Sequence, residues 1–173
     1  MHMKHILPIL AITTLAAAAS AQSAAASSGL SYNRVGLTYS DNSEGYVLSA
    51  SSLLGNTNVL LSASTTIDSK SAAGNHHATA SLGYVFKNVA FGSDAIVALS
   101  SDESYSLSVR KDIGSSFEVG AAYSRDKSTG SYVNVWGVEV AYNITKQYQA
   151  AISYADLGSG NGHAVLYSLR YNF

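Results

Sequence analysis

Several features are scarce in this sequence, and each absence narrows what the protein can be. The 173 residues contain no cysteine, which excludes disulfides, thiolate chemistry and cysteine-based metal sites. Only 12% are charged and the net charge is -1, so no basic face for nucleic acid is expected. There is a single proline, and no apolar run reaches the roughly 20 residues of a membrane-spanning helix. β-Branched and aromatic residues are common, which favours strands.

The first 21 residues differ in pattern from the rest. A lysine precedes an apolar stretch of 14 residues, and residues 19–21 (Ala-Ser-Ala) have the small-x-small form of a signal peptidase site. We therefore expect a cleaved secretory signal peptide over 1–21 and one exported domain over 22–173. A retained N-terminal anchor helix is the alternative.

After a small polar lead-in, the sequence divides into short alternating runs separated by breaks, most of them rich in turn-forming residues. We interpret the runs as ten strands of an antiparallel, up-and-down sheet, with eight strands as the fallback if the shortest runs merge. No segment resembles a linker to a second domain. The predicted strands are 30–40, 45–54, 58–67, 76–86, 93–101, 104–112, 116–126, 132–144, 148–156 and 163–173.

Each run has one apolar and one small polar face, because successive side chains of a strand point in opposite directions. The final run shows this clearly: Val165, Tyr167, Leu169, Tyr171 and Phe173 share one face. Eleven of the twelve tyrosines, all but Tyr32, fall on the apolar parity. That is too much ring volume for the inside of a small barrel, so the apolar face is predicted to lie outside.

The positions of the aromatic side chains along the barrel axis indicate which environment the outer face contacts. If the runs alternate up and down, the rings gather at two rims with Val, Leu, Ile and Ala between them, as in a transmembrane β-barrel. Because lipid cannot pair an open sheet edge, the last strand must pair with the first. The predicted aromatic belts are Tyr84, Phe86, Phe117, Tyr142 and Tyr148 at one rim and Tyr39, Tyr46, Tyr105, Tyr123 and Tyr154 at the other.

With an export signal, an even strand number and the ending VLYSLRYNF, the chain resembles the small outer-membrane β-barrel proteins of Gram-negative bacteria, of the OmpA/OmpX-like or opacity type. In that family a last strand ending in aromatic-x-Phe is recognised by the barrel assembly machinery, and Tyr171 and Phe173 occupy those places. The resemblance implies a location in the outer membrane, contact with its lipid and lipopolysaccharide, and the assembly machinery as a partner. We expect a monomer.

Charged residues of inward parity form the one constellation that the pattern singles out. They lie in the half of the barrel nearer the periplasm, where we expect them to form a hydrogen-bonded charge layer across the lumen. Its role is either to brace the wall by neutralising buried charge or to constrict a pore. The predicted lumen charge layer is Arg34, Arg110, Glu118, Glu139 and Arg170.

Other chemistry is poorly supported by the sequence. His76, His77 and His163 lie near the outer rim without the convergent ligands that a metal needs, so neither a metal nor a cofactor is expected. A Ser-His-acid site using Asp156 would make the chain a lipid-modifying enzyme, but serine is too common for such proximity to mean much. We therefore predict no catalytic residues. The predicted role is structural or envelope-stabilising, with a narrow low-conductance pore as the alternative.

Overall fold

The computed structural model describes residues 29–67, 78–114, 116–127, 132–158 and 162–173. The predicted signal peptide lies outside the described residues, as do His76 and His77. Within the described residues, no helix is long and apolar enough to cross a membrane.

Ten strands form a closed antiparallel barrel in which each strand pairs with its neighbours in the chain and β1 pairs with β10. The ten-strand interpretation is confirmed, and the eight-strand fallback is not needed. The strands are β1 (Arg34–Ser40), β2 (Gly45–Leu53), β3 (Val59–Ile67), β4 (Ala78–Ala90), β5 (Ser93–Ser100), β6 (Tyr105–Ile113), β7 (Phe117–Asp126), β8 (Val133–Asn143), β9 (Tyr148–Asp156) and β10 (His163–Asn172).

The register places the two side-chain sets on opposite faces all round the barrel. Leu37 pairs with Leu48 on one side and with Leu169 on the other, so apolar side chains meet apolar side chains across the closing seam. Inward positions pair similarly, as Ser62 does with Ser81. The seam therefore continues the same two-faced pattern.

The two ends of the barrel differ. Arg34 and Asn172, the first and last strand residues, are register partners, so both termini of the barrel lie at one end, which we call the terminal end. The opposite end is the distal end. Aromatic side chains surround the terminal end, where Tyr148 packs on Tyr171 with ring centroids 5.3 Å apart.

Two strand boundaries differ from the prediction by more than two residues. The first strand begins at Arg34 rather than at residue 30, and β4 continues to Ala90 through an irregular register between Phe86 and Ala90. The segment KNVAFG was expected to be a break. Its turn is instead confined to residues 91–92, and Phe91 adopts a positive φ of 51° there.

Candidate functional site

The lumen at the terminal half of the barrel holds four of the five predicted layer residues in one connected network. Arg110 donates from Nε to Oε1 of Glu118 at 2.6 Å, and Arg170 donates from Nη1 to Oε1 of Glu139 at 2.6 Å. Gln149 joins the two pairs, because its Nε2 donates to Oε2 of Glu118 at 3.1 Å and its Oε1 accepts from Nη1 of Arg170 at 3.2 Å. The network reaches from β6 and β7 across to β9 and β10.

Most of the side chains in this network are buried. Arg110 is 7% exposed, Glu118 4% and Gln149 3%. Buried ions are costly unless their charges and hydrogen-bonding groups find partners, and the two ion pairs with their amide bridge supply most of these. Sequence reasoning did not name Gln149, although its inward parity on β9, beside Arg170, could have indicated it.

Arg34, the fifth predicted member, stands apart from the network. Its Nη1 is buried and has no hydrogen-bond partner among the described residues, and the same holds for Nη1 of Arg110. Arg34 interacts electrostatically with Glu118 and Glu139, but no ion pair in the described part of the chain includes it.

The residues before β1 enter the barrel. We call Gly29–Asn33 the N-terminal segment. Leu30 and Tyr32 are almost fully buried and pack against inward side chains of β4 and β5, Val85 and Ile96. An apolar cluster thus occupies one side of the lumen on the terminal side of the charge network. Beside it lies a cavity of about 560 Å³ that reaches Glu118 and Gln149.

Polar contacts fix the N-terminal segment in place. Tyr32 donates its hydroxyl to Oδ2 of Asp94 at 2.6 Å, and Nη2 of Arg110 donates to the carbonyl of Ser31 at 3.1 Å. The guanidinium of Arg110 also lies 4.8 Å from the centroid of the Tyr32 ring. Burial, followed by the hydrogen bond to Asp94, raises the pKa of Tyr32, which keeps this phenol a donor.

The wall and the last residue hold the segment as well. Ser51 donates from Oγ to the carbonyl of Tyr32 at 2.8 Å. Asn33 Oδ1 accepts from the amide of Leu53 at 3.0 Å, and its carbonyl accepts from the amide of Phe173 at 3.0 Å. The residue predicted as part of the assembly signal is therefore joined to the segment that enters the lumen.

The distal half of the lumen is open. One chamber of about 310 Å³ and a second of about 290 Å³ both reach Arg34 and Arg170. Small side chains line them, including Gly120, Ala122 and Gly137 in the first and Ser62, Ser64 and Ser81 in the second.

The predicted belt aromatics lie on the outer face. Nine are between 39% and 57% exposed, and Tyr39 is half-buried. Neighbouring rings pack in tilted pairs, such as Phe117 with Tyr142 at 5.2 Å and Tyr39 with Tyr46 at 5.3 Å. Ser52, which has outward parity, is only 6% exposed, and its Oγ donates to Oδ1 of Asn33 at 3.2 Å.

The remaining candidates do not assemble into a site. His163 stacks on Tyr154 at 5.7 Å, and its strand partner Asp156 accepts a hydrogen bond from the amide of Gly158 at 2.8 Å. Within the described ranges, no group of three or more His, Cys, Asp or Glu side chains is placed to hold a metal ion.

Comparison with known proteins adds to this geometry. No protein-family model and no curated protein matches the sequence. Among solved structures, the KdgM porin is similar at 14% identity with a TM-score of 0.55, over 81% of this chain and 99% of that one. The chain has the fold of an outer-membrane β-barrel. The KdgM porin in complex with disordered oligogalacturonate gives the same identity, coverage and TM-score. The Acinetobacter baumannii outer membrane protein Omp33 matches at 12% identity over 84% and 100% of the chains, with a TM-score of 0.39.

Proposed function

We propose that this protein is a non-enzymatic outer-membrane barrel with a structural or envelope-stabilising role, whose lumen is closed at the terminal half. The outward apolar face with its two aromatic belts supports the membrane location. The fold of a barrel similar to the KdgM porin supports it too. In this orientation the terminal end faces the periplasm.

The observation that carries the closed lumen is the burial of the N-terminal segment inside the barrel. Leu30 and Tyr32 are 1% and 3% exposed, and the network of Arg110, Glu118 and Gln149 lies directly above them. A water-filled path from the terminal end could follow the cavity beside the segment as far as Glu118 and Gln149, but it would then have to pass the ion-pair layer. That layer would have to come apart for ions to cross.

Planar-bilayer recording of the refolded mature chain tests this proposal. We expect no sustained conductance in symmetric salt, only brief and infrequent openings. A steady conductance that rises with salt concentration would contradict the closed lumen and favour the second candidate.

The second candidate is a narrow pore for small solutes. Its support is the fold similarity to a porin, at a TM-score of 0.55, together with the two chambers in the distal half. A lipid-modifying activity has less support, since His163 stacks on an aromatic ring. Mass spectra of lipid A with and without expression would test it, and we expect identical spectra.

A further inference from the structure

Arg125 is a cation that faces out of the barrel at its distal rim. It is the second-last residue of β7, and its register partners are Tyr105 on β6 and Asn134 on β8. Tyr105 is 41% exposed and belongs to the distal aromatic belt. Arg125 has the same outward parity and is itself exposed. Its guanidinium therefore lies at the level of that belt, outside the lumen.

Two aromatic side chains orient this guanidinium. Nη1 of Arg125 donates to the hydroxyl of Tyr105 at 3.4 Å, and the guanidinium carbon lies 4.6 Å from the ring centroid of Tyr132. The Tyr132 ring is exposed, and Nζ of Lys127 lies 5.5 Å from its centroid. A cation over an aromatic face is stabilised without being neutralised. The group is thus held in place and keeps its charge.

No carboxylate among the described residues forms an ion pair with Arg125. The acidic residues beside it have other partners. Glu103 pairs with Lys127, and Asp126 accepts from Oγ of Ser104 at 3.2 Å. An anionic partner for Arg125 would therefore have to come from outside the chain.

The surroundings of Arg125 are those of a lipid headgroup region. Amphipathic rings gather where hydrocarbon meets water, so a cation at the level of the distal belt is at the height of the lipid phosphates. Nearer the middle of the barrel, Ala121 lies on the same face of β7, and its register partners are Val109 and Val138. The face thus offers a cation to a headgroup and an apolar surface to the acyl chains below it.

The opposite side of the distal rim carries charge of the other sign. Tyr39 and Tyr46 pack together there on β1 and β2, and the connection between these strands contains Asp41 and Glu44. Residues 41–44 include no lysine or arginine. Since carboxylates repel an anionic headgroup, charge favours binding on the side of β6 to β8.

We propose that the face formed by Tyr105, Arg125 and Tyr132 binds the phosphorylated headgroup of an outer-leaflet lipid, the lipid A part of lipopolysaccharide, with Arg125 as the phosphate ligand. A guanidinium suits phosphate because its donors form a fixed fork that can meet two oxygens. The inference rests on the membrane orientation proposed above, in which the distal end faces the outer leaflet. It names the place on the chain where that lipid is held.

Native mass spectrometry of the refolded mature chain in neutral detergent tests the proposal. The chain is titrated with lipid A and with lipid A from which both phosphates have been removed, and sodium phosphate serves as a competitor. We expect a saturable one-lipid adduct with lipid A, at least about fivefold weaker retention of the dephosphorylated form, and no competition by free phosphate. Equal retention of the two lipids would overturn the proposal, because the acyl chains alone would then explain binding. Displacement of lipid A by sodium phosphate would overturn the lipid as the source of the phosphate.

Arg125→Gln and Lys146→Gln form the matched pair of variants, since each removes one exposed cation. Lys146 lies in the turn after β8, at the terminal end. We expect Arg125→Gln to weaken the apparent affinity for lipid A about fivefold, the contribution of one basic residue at a lipid surface. Lys146→Gln should leave it unchanged. Equal affinities in the wild type and Arg125→Gln, or an equal loss in both variants, would contradict the assignment.

Failure of this proposal and failure of the proposed function give different results. Bilayer recording reports on the lumen and electrophoretic mobility on folding, whereas lipid retention reports on the distal face alone. A silent, folded barrel that retains both lipids equally would end this proposal and leave the structural role intact. A conducting barrel that retains lipid A, and loses it in Arg125→Gln, would do the reverse.

Discussion

Arg110 is the residue on which most of the lumen depends. It forms an ion pair with Glu118, donates to the backbone of the N-terminal segment at Ser31, and lies over the ring of Tyr32. All of these contacts are buried or half-buried. A single guanidinium thus links the barrel wall to the segment that fills it.

Replacing Arg110 with methionine tests this dependence. Methionine keeps the apolar stem but leaves Glu118 as a buried charge without its cation, so we expect a loss of about 3 to 5 kcal/mol in the free energy of unfolding. Urea unfolding in micelles, followed by electrophoretic mobility, measures it. The matched control is Lys127→Gln, because Lys127 forms an exposed ion pair with Glu103. That change should cost far less, because solvent and salt screen an exposed ion pair. Equal losses would show that burial is not what matters.

At the scale of single elements, the proposed closure of the lumen depends on the N-terminal segment. Leu30 and Tyr32 narrow the lumen on its β4 and β5 side, and the polar contacts of the segment hold them there. Taking the side chains away leaves the ten strands and their pairing in place.

The double variant Leu30→Ala, Tyr32→Ala is therefore expected to conduct more than the wild type. Each truncation removes most of a buried side chain, and cavities of that kind cost about 2 to 5 kcal/mol per site. Bilayer recording compares it with Leu37→Ala, a truncation on the outer face that leaves the lumen unchanged. A double variant as silent as the wild type would mean that the charge network alone closes the lumen.

The closing strand carries a separate prediction. Phe173 ends the chain next to Tyr171, with stacked rings 6.3 Å apart, and its amide bonds the carbonyl of Asn33. If these rings form the signal for the assembly machinery, deleting Phe173 should sharply reduce the amount of heat-modifiable, folded barrel in outer membranes. Phe91→Ala is the control, since this ring is 93% exposed in a turn at the same end. Equal yields from the deletion and the control would contradict the signal.

The N-terminal segment also shows where sequence reasoning reached its limit. Strand number, register parity and closure followed from period-two alternation, which a barrel in lipid enforces on every strand. Leu30 and Tyr32 continue that alternation, so they were assigned to the first strand. Their apolar character on the inward parity was the available signal, and Tyr32 was the single tyrosine on that side.

The pairing of the charged side chains was harder to predict from the sequence. Strand patterning gives the face and approximate height of Arg34, Arg110 and Arg170 but not the reach of their side chains across the lumen. Gln149 carries no charge, so charge patterning does not indicate it, whereas the inward parity of Asp94, opposite Arg110, could have indicated that residue. The network instead uses an amide as a bridge, and Asp94 accepts from a tyrosine outside the strands.

On the scale of the whole molecule, the account requires the apolar surface to face lipid. Val138 lies near the middle of β8 on that surface, where its register partners are Ala121 and Tyr154. Val138→Lys should destabilise the refolded barrel by about 2 to 4 kcal/mol in vesicles. Ser124→Lys, inward on the neighbouring strand, should cost far less because it meets the open chamber. Comparable unfolding midpoints for the two variants would argue against the assigned faces.

The most direct test of the orientation uses the one native tryptophan, Trp136, which is 48% exposed on the outer face. The mature chain is refolded into vesicles of brominated phospholipid, and the fluorescence of Trp136 is compared with that in unbrominated vesicles. The account predicts strong quenching, greater for bromine near the headgroups than near the acyl ends, because Trp136 lies on the distal side of the strand centre. Unquenched fluorescence, from a chain that stays monomeric in buffer without detergent, would contradict it.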